Sequence, residues 1–437
     1  MKDEGQDTLP RVITGTFSLL LTRRFLPLFI TQFLGAFNDN MFKNALVMLI
    51  TYKLAVQTGA NAQVLVTLAG ALFILPYLLF SATAGQIADK YDRARLARFT
   101  KLWEILLMGI ACVGFYIGNI YFLLFVLFCM GVQATFFGPI KYVLLPQHLH
   151  EDELLAGNAY IEAGTFLAIL IGTLSGGLLV MQEAGIHLIS VMVVAVALLG
   201  YVSSRYIPAA PAPVPDLNVN WNIAVETCAI IRNDRKHPKL YGCILSISWF
   251  WLIGATYLSQ FPTYAKDVLH GDETVVTLFL TLFSTGIGIG SWLCNMLLKG
   301  EVKSTYVPAA ALGITIFTVD LYFASAGVAQ GDALIDAWQF LSGFAHGRIL
   351  ADLFGIAVCG GLYVVPLYAV LQRDSAPETR ARTIASNNVV NALFMVASAV
   401  ATLLMFKASF TVPQVFLTMG ILNGFVALYT RRLNLPA

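Results

Sequence analysis

The chain has 437 residues, of which 58% are hydrophobic and 12% charged, with a formal net charge of +2. Soluble domains carry roughly 25% charged residues, and a mean hydropathy of +0.74 is more than a soluble fold of this length can bury, so the solvent must largely be lipid. The basic residues fall in short interhelical segments and form no single patch, which argues against a nucleic-acid partner.

Spans of about 20 apolar residues cross a bilayer. The runs between charged or Pro/Gly breaks number twelve: roughly 25–52, 63–88, 99–118, 120–146, 155–181, 185–204, 240–265, 274–298, 305–326, 349–371, 383–406 and 411–430. Residues 1–24 hold Asp3, Glu4, Asp7 and four basic residues ahead of a full-length apolar run, so no cleavable signal peptide is expected. The expectation is an all-α integral membrane protein with 12 transmembrane helices in two six-helix bundles. It divides into a cytoplasmic segment at 1–24, bundles at 25–204 and 240–437, and a cytoplasmic linker at 205–239. Lys and Arg set the orientation. With both termini cytoplasmic, 21 of the 27 fall in inside segments, four (Lys53, Lys266, Arg348, Lys407) outside, and only Lys43 and Lys141 within spans.

In span one, "TQFLGAFNDNMFKNAL" puts Gln32, Gly35, Asp39 and Lys43 on one helix face. Asp39 lies about 14 residues into the span, roughly 21 Å along the axis and close to midplane. Either it faces a cavity as a substrate or proton site, or it pairs with Lys43 to support packing. Asn38 and Asn40 widen the polar patch beyond what such a pair needs. Between spans two and three stands "GQIADKYDRARLAR". Its Gly-x-x-x-Asp-x-x-x-Arg pattern resembles the loop motif of the major facilitator superfamily. That resemblance implies a cytoplasmic lock made by Gly85, Asp89 and Arg93, with Arg95 as a helper; the plain alternative is an ordinary basic loop.

Span four ends in "GPIKYVLLPQ" and span five opens with "ELLAGNAYIEAG". Lys141 either snorkels to the interface or lines a cavity, the reading Pro139 favours by distorting its helix. Asn158 and Glu162 climb span five to a similar depth, where Glu162 could approach Lys141. Gly164, Gly172, Gly176 and Gly177 suit close helix packing. The linker "RYIPAAPAPVPDLNVNWNIAVETCAIIRNDRKHPK" begins stiff and extended, with a short surface helix expected within 217–235. Glu104 and Asp320 lie in spans three and nine without an evident role. Trp249, Trp251, Tyr257, Tyr363 and Tyr368 would suit an amphipathic occupant, the lipid face or the core. Asn387, Asn388 and Asn391 form a second polar patch in span eleven, either interhelical or substrate-facing. Laying Pro139 on Pro366 aligns Val143 and Leu144 with Val370 and Leu371, and a two-residue insertion brings Asn158 onto Asn387, as duplication predicts. The six cysteines (Cys112, Cys129, Cys228, Cys243, Cys294, Cys359) show no CxxC spacing; no disulfide, metal site or cofactor is expected.

"QFLGAFNDN", "GQIADKYDRARLAR", "GPIKYVLLP" and "ELLAGNAYIEAGTFLAILIGTLSGG" together resemble the bacterial lysophospholipid transporters of that superfamily. The resemblance is dense over 30–180 and thin beyond. It implies a flippase of the bacterial inner membrane. That flippase would work as a monomer by alternating access, moving lysophospholipid, notably lysophosphatidylethanolamine, to the cytoplasmic leaflet. A cytoplasmic acyltransferase/acyl-carrier-protein synthetase is the partner it implies for re-acylation. By the same resemblance Asp39, beside Asn40, would meet the ammonium or balance charge, and Lys141 the phosphate. Asn158 and Glu162 would orient Lys141 or the headgroup, and Asn387 and Asn391 are further candidates. One departure stands out: the span-seven arginine of that family is missing, the positions past Phe250–Trp251 being Leu258, Ser259 and Gln260.

Two other classes remain open. One is proton-coupled transport of another amphiphile, such as a drug or siderophore, through Asp39 or Glu162. The other is an enzyme or its anchor, against which no histidine is followed by the His-x-x-x-x-Asp acyltransferase signature and no P-loop or metal-ligand cluster occurs. A lipid cargo further predicts a lateral opening between the bundles.

Overall fold

The computed structural model describes residues 16–54, 61–326 and 334–432; residues 1–15 of the expected N-terminal segment lie outside them. The helices are α1 (Leu26–Leu49), α2 (Ala62–Lys90), α3 (Arg93–Ile117), α4 (Ile120–His148), α5 (Glu151–Val180), α6 (Gly185–Ser204) and α7 (Ile223–Asp234). After them come α8 (Pro238–Thr263), α9 (Glu273–Leu298), α10 (Val307–Ala326), α11 (Ala337–Ser342), α12 (Phe344–Asp374), α13 (Arg380–Lys407) and α14 (Val412–Arg431). Eleven are long and apolar enough to cross a membrane among the described residues. The twelfth long helix is α1, 24 residues, which loses hydropathy to Asn38, Asp39, Asn40, Lys43 and Asn44. The two short helices, α7 and α11, are connectors.

Helices end where the sequence supplies caps. Asn61, Asn119 and Asn222 accept the amides of Val64, Phe122 and Val225 at 3.0–3.1 Å, which satisfies N–H groups that helix geometry leaves unpaired. Gly118 closes α3 at φ 68°, a left-handed conformation that glycine adopts freely, so α4 can start after a single intervening residue. Within the first half, Gly172 and Gly176 of α5 lie against the Phe37 and Met41 carbonyls of α1; in the second, Gly290 of α9 lies against the Val358 carbonyl of α12. These are the close helix approaches that small residues permit in lipid.

The halves meet most tightly at the end that carries the α2–α3 turn, the linker and the start of α13, called here the basic end. Asp89, fully buried, takes Arg93 at 3.2 Å within its own half. From the other half it accepts Arg382 Nε at 3.1 Å and the Ala381 amide at 3.2 Å. A carboxylate at the first turn of α13 also opposes the positive end of that helix. Gly85, one turn earlier, is what allows the approach: a Cβ there would stand 2.7 Å from Ala385 Cβ and 2.9 Å from Arg382 Cα. Arg95, the candidate helper, is exposed and its side chain joins no ion pair among the described residues.

The Ala/Pro stretch of the linker is strapped to this end. The Ala210 carbonyl accepts Arg93 N at 2.9 Å, Pro211 accepts Gln147 Nε2 at 3.0 Å, and Val214 N donates to the Asp89 carbonyl at 3.0 Å. The surface helix expected within 217–235 is α7. It bridges α2 and α13 through Ile230, packed with Ala82 and Ala385, and through Asp234, which accepts the Thr383 hydroxyl at 3.2 Å.

Burial raises the Asp234 pKa from 3.8 to about 6, the Thr383 hydrogen bond only partly opposing it. A carboxyl held above its unfolded value binds its proton more tightly in the folded state. Docking of α7 therefore gains stability as pH falls from about 6 toward 4 and loses it as pH rises. Asp234→Asn should remove that dependence. Its melting midpoint, measured beside wild type, should exceed it by more at about pH 7.5 than at about pH 5; an equal difference at both would contradict the assignment.

Candidate functional site

Between the halves, on the far side of the basic-end closure, lies a cavity of about 340 Å³. α1 contributes Gln32, Gly35, Asp39 and Lys43, the face expected from spacing. Asp39 is half-buried and takes no hydrogen bond or ion pair from any described residue. The alternative Asp39–Lys43 pair is not made: Lys43 Nζ donates to Asn40 Oδ1 at 3.0 Å and stands 5.5 Å from the Phe73 ring. On the same helix face, one turn separates the two charges, and each is turned to the cavity. Asn40, also lining, anchors its own amide to the Ala36 carbonyl at 2.8 Å.

Lys141 lines the opposite wall from α4, past Pro139 inside the helix. Its ammonium lies 4.8 Å from the centroid of the Tyr142 ring and has no carboxylate partner among the described residues. Lys141 and Glu162 come near one another, as helix depth allows, but make no ion pair among the described residues. The Tyr142 hydroxyl instead donates to Glu162 Oε1 at 2.7 Å, and Glu162 is fully buried behind the cavity wall. Asn158 does not line the cavity either. It exchanges two hydrogen bonds with Gln372 of the other half, at 2.9 and 2.8 Å, both residues fully buried. This is a tie between halves, one turn nearer the basic end than Glu162.

The second half contributes Trp251, Tyr368, Asn388, Asn391, Ala392 and Met395, none of them charged. Asn391 accepts the Ser248 hydroxyl at 2.7 Å, and Trp251 Nε1 donates to the Tyr368 hydroxyl at 3.0 Å. Asn387, a candidate from sequence, is fully buried outside the cavity; its neighbour Asn388 takes the lining place. Leu258, Ser259 and Gln260, where the family arginine was missed, do not reach it. Of the other aromatics, Tyr257 and Tyr363 are core and Trp249 binds Asn423.

One site residue escaped sequence reasoning. Lys101 counted as an inside-loop charge, but α3 begins at Arg93, capped by Asp92, so Lys101 falls in its third turn and is fully buried. Its ammonium meets Glu104 at 2.6 Å, beside Gly35, and stands 4.9 Å from the Phe137 ring. Glu104 also accepts Asn38 at 3.1 Å and Gln133 at 3.3 Å. Here Asn38 has its task, which is structural. The signal was present in the i, i+3 spacing of Lys101 and Glu104 on an apolar helix face. Asp320, without a role by sequence, pairs with Arg348.

The Major Facilitator Superfamily profile matches residues 28–399. The chain belongs to that superfamily. It is a transporter, not an enzyme, and a multi-pass membrane protein. Curated relatives are named lysophospholipid transporter LplT. That of Escherichia fergusonii is 28% identical over 78% of both chains, and that of Enterobacter sp. is 26% identical over 91% of both. The resemblance read from "QFLGAFNDN" and its companion motifs is thereby shown. Among solved structures, the transporter FucP in the outward conformation matches with a TM-score of 0.71 at 14% identity, over 94% of this chain and 99% of that one. A bacterial homologue of the iron transporter ferroportin in an outward-facing state matches with a TM-score of 0.61 at 16% identity, over 92% and 99%. These likenesses concern the fold alone.

Removing one partner of a buried ion pair leaves an uncompensated charge, at a cost of about 3–5 kcal/mol, whereas replacing both is close to neutral. Lys101→Met should therefore strongly lower the melting midpoint of the purified protein. The double variant Lys101→Met/Glu104→Leu should recover most of the loss.

Proposed function

We propose that this transporter moves lysophospholipid, lysophosphatidylethanolamine in particular, across the bacterial inner membrane to the cytoplasmic leaflet by alternating access. The observation that carries the reading is the pair Asp39 and Lys141, opposite charges without an ion-pair partner among the described residues, facing one cavity from two helices. An unpaired charge at membrane depth costs a few kcal/mol or more, and a zwitterionic headgroup answers both. Asp39 receives the ammonium and Lys141 the phosphate, with Asn40, Asn388 and Asn391 as neutral contacts. Relatives named for lysophospholipid support the substrate class.

The acyl chain needs a way to stay in hydrocarbon. α2 and α13 both line the cavity, through Phe73 and Ile74 on one side and Ala392 and Met395 on the other. Their seam is the lateral route. The excess of Lys and Arg at the basic end supports a cytoplasmic orientation for it and for both termini. Closure at Gly85, Asp89 and Arg93 then leaves the cavity available from the opposite side, the side from which import starts. The protein acts as a monomer, and a cytoplasmic acyltransferase/acyl-carrier-protein synthetase consumes the delivered substrate.

A hydrogen bond to a charged group contributes about 1.5–3 kcal/mol, or roughly 10- to 100-fold in affinity. Uptake of radiolabelled lysophosphatidylethanolamine by spheroplasts should therefore fall at least tenfold in Lys141→Ala and in Asp39→Asn, at equal protein level. No uptake by wild type would refute the substrate. Acidification tied to another amphiphile, abolished by Asp39→Asn, would instead establish a proton-coupled carrier.

A further inference from the structure

Glu162 sits one layer below the cavity, fully buried, and its two oxygens are unequally satisfied. Oε1 accepts the Tyr142 hydroxyl at 2.7 Å; Oε2 has no hydrogen-bond partner among the described residues. A buried carboxylate with one neutral donor is poorly compensated. The cation acting on it is Lys141, the residue before Tyr142, which has no carboxylate of its own. The tyrosine touches both, its ring beside the ammonium and its hydroxyl on the carboxylate. The same ring stacks on Tyr368 from the other half, with centroids 4.5 Å apart and planes within 8°. Tyr142 thus holds Lys141 at the cavity face, covers Glu162 and seals the halves together. One turn further toward the basic end, the Asn158–Gln372 tie joins the same two helices that carry Glu162 and Tyr368. Parting α5 from α12 breaks the tie, and parting α4 from α12 breaks the stack.

We propose that Lys141 exchanges partners during transport: it holds the anionic group of the cargo while the Tyr142–Tyr368 stack is closed, and passes to Glu162 when the stack opens. Glu162 is then the anion that displaces the cargo toward the basic end, a positioning residue acting through Lys141. No proton is needed, because one negative charge replaces another at the ammonium. The exchange rests on the lysophospholipid reading only for the identity of the anion, a phosphodiester.

Glu162→Gln tests it, since the amide keeps an acceptor for Tyr142 while losing the charge. Binding of lysophosphatidylethanolamine to the purified protein should stay within about threefold of wild type or tighten, while uptake falls at least tenfold. Glu162→Asp should restore part of the uptake. A second readout needs no cargo. Spin labels at Arg95 and Glu378, exposed at the basic end on opposite halves, report its opening. Glu162→Gln should shift their distance distribution toward the closed, shorter population, because the open state loses its Lys141 pair. Wild-type uptake in Glu162→Gln, or binding lost in step with uptake, would overturn the exchange. If wild type binds no lysophosphatidylethanolamine, the substrate reading fails on its own. The labels then decide: a shift supports the exchange and an unchanged distribution overturns it.

Discussion

A charge placed in hydrocarbon must be met by another charge, by a full set of hydrogen bonds, or by a cavity that holds something polar. That constraint organises this molecule. Lys101 and Glu104 meet each other and are walled in by Asn38 and Gln133. Asp89 meets two arginines and the first turn of α13. Asp39 and Lys141 have no ion-pair partner among the described residues, and they face the cavity. The contrast between satisfied and unsatisfied charges separates structural groups from those awaiting a ligand.

The closed end is built in tiers of different chemistry. Nearest the cavity is an aromatic stack, Tyr142 on Tyr368; beneath it the reciprocal amide pair of Asn158 and Gln372; at the surface the ionic cluster around Asp89. Each tier joins one half to the other. Polar ties of this kind are short-ranged and directional, so a modest separation breaks them together. α7 adds an outer strap across α2 and α13, with a carboxyl whose burial makes the strap sensitive to mildly acidic pH.

The two halves divide the work of recognition unequally. Every charged residue lining the cavity, Asp39, Lys43, Lys101 and Lys141, comes from the first half; the second supplies aromatic and amide surface. Laying Pro139 on Pro366 puts Tyr368 at the place of Lys141, so the repeat keeps the helix distortion while exchanging the cation for the gate's second ring. The missing span-seven arginine belongs to the same asymmetry.

Much of this was legible in the amino-acid sequence because lipid is a demanding solvent. Hydropathy alone marks the spans, the positive-inside bias suggests an orientation, and the spacing of Gln32, Gly35, Asp39 and Lys43 predicts a shared face. Gly85 and Asp89 are recognisable from their loop motif. What sequence could not decide was which groups at equal depth touch. Depth along a helix is a one-dimensional coordinate, and it set Lys141 beside Glu162. Tertiary packing instead gave Glu162 the Tyr142 hydroxyl and left Lys141 facing the cavity. In the same way Lys101 read as a loop charge until the start of α3 was known, and Asn158 read as a cavity residue until Gln372 arrived from the other half. Hydropathy determined a multi-span membrane protein with polar groups inside its spans, and its motifs resembled those of a transporter family. Only tertiary packing decided which polar groups lock it, because contacts between helices depend on rotation and crossing, which no single segment encodes.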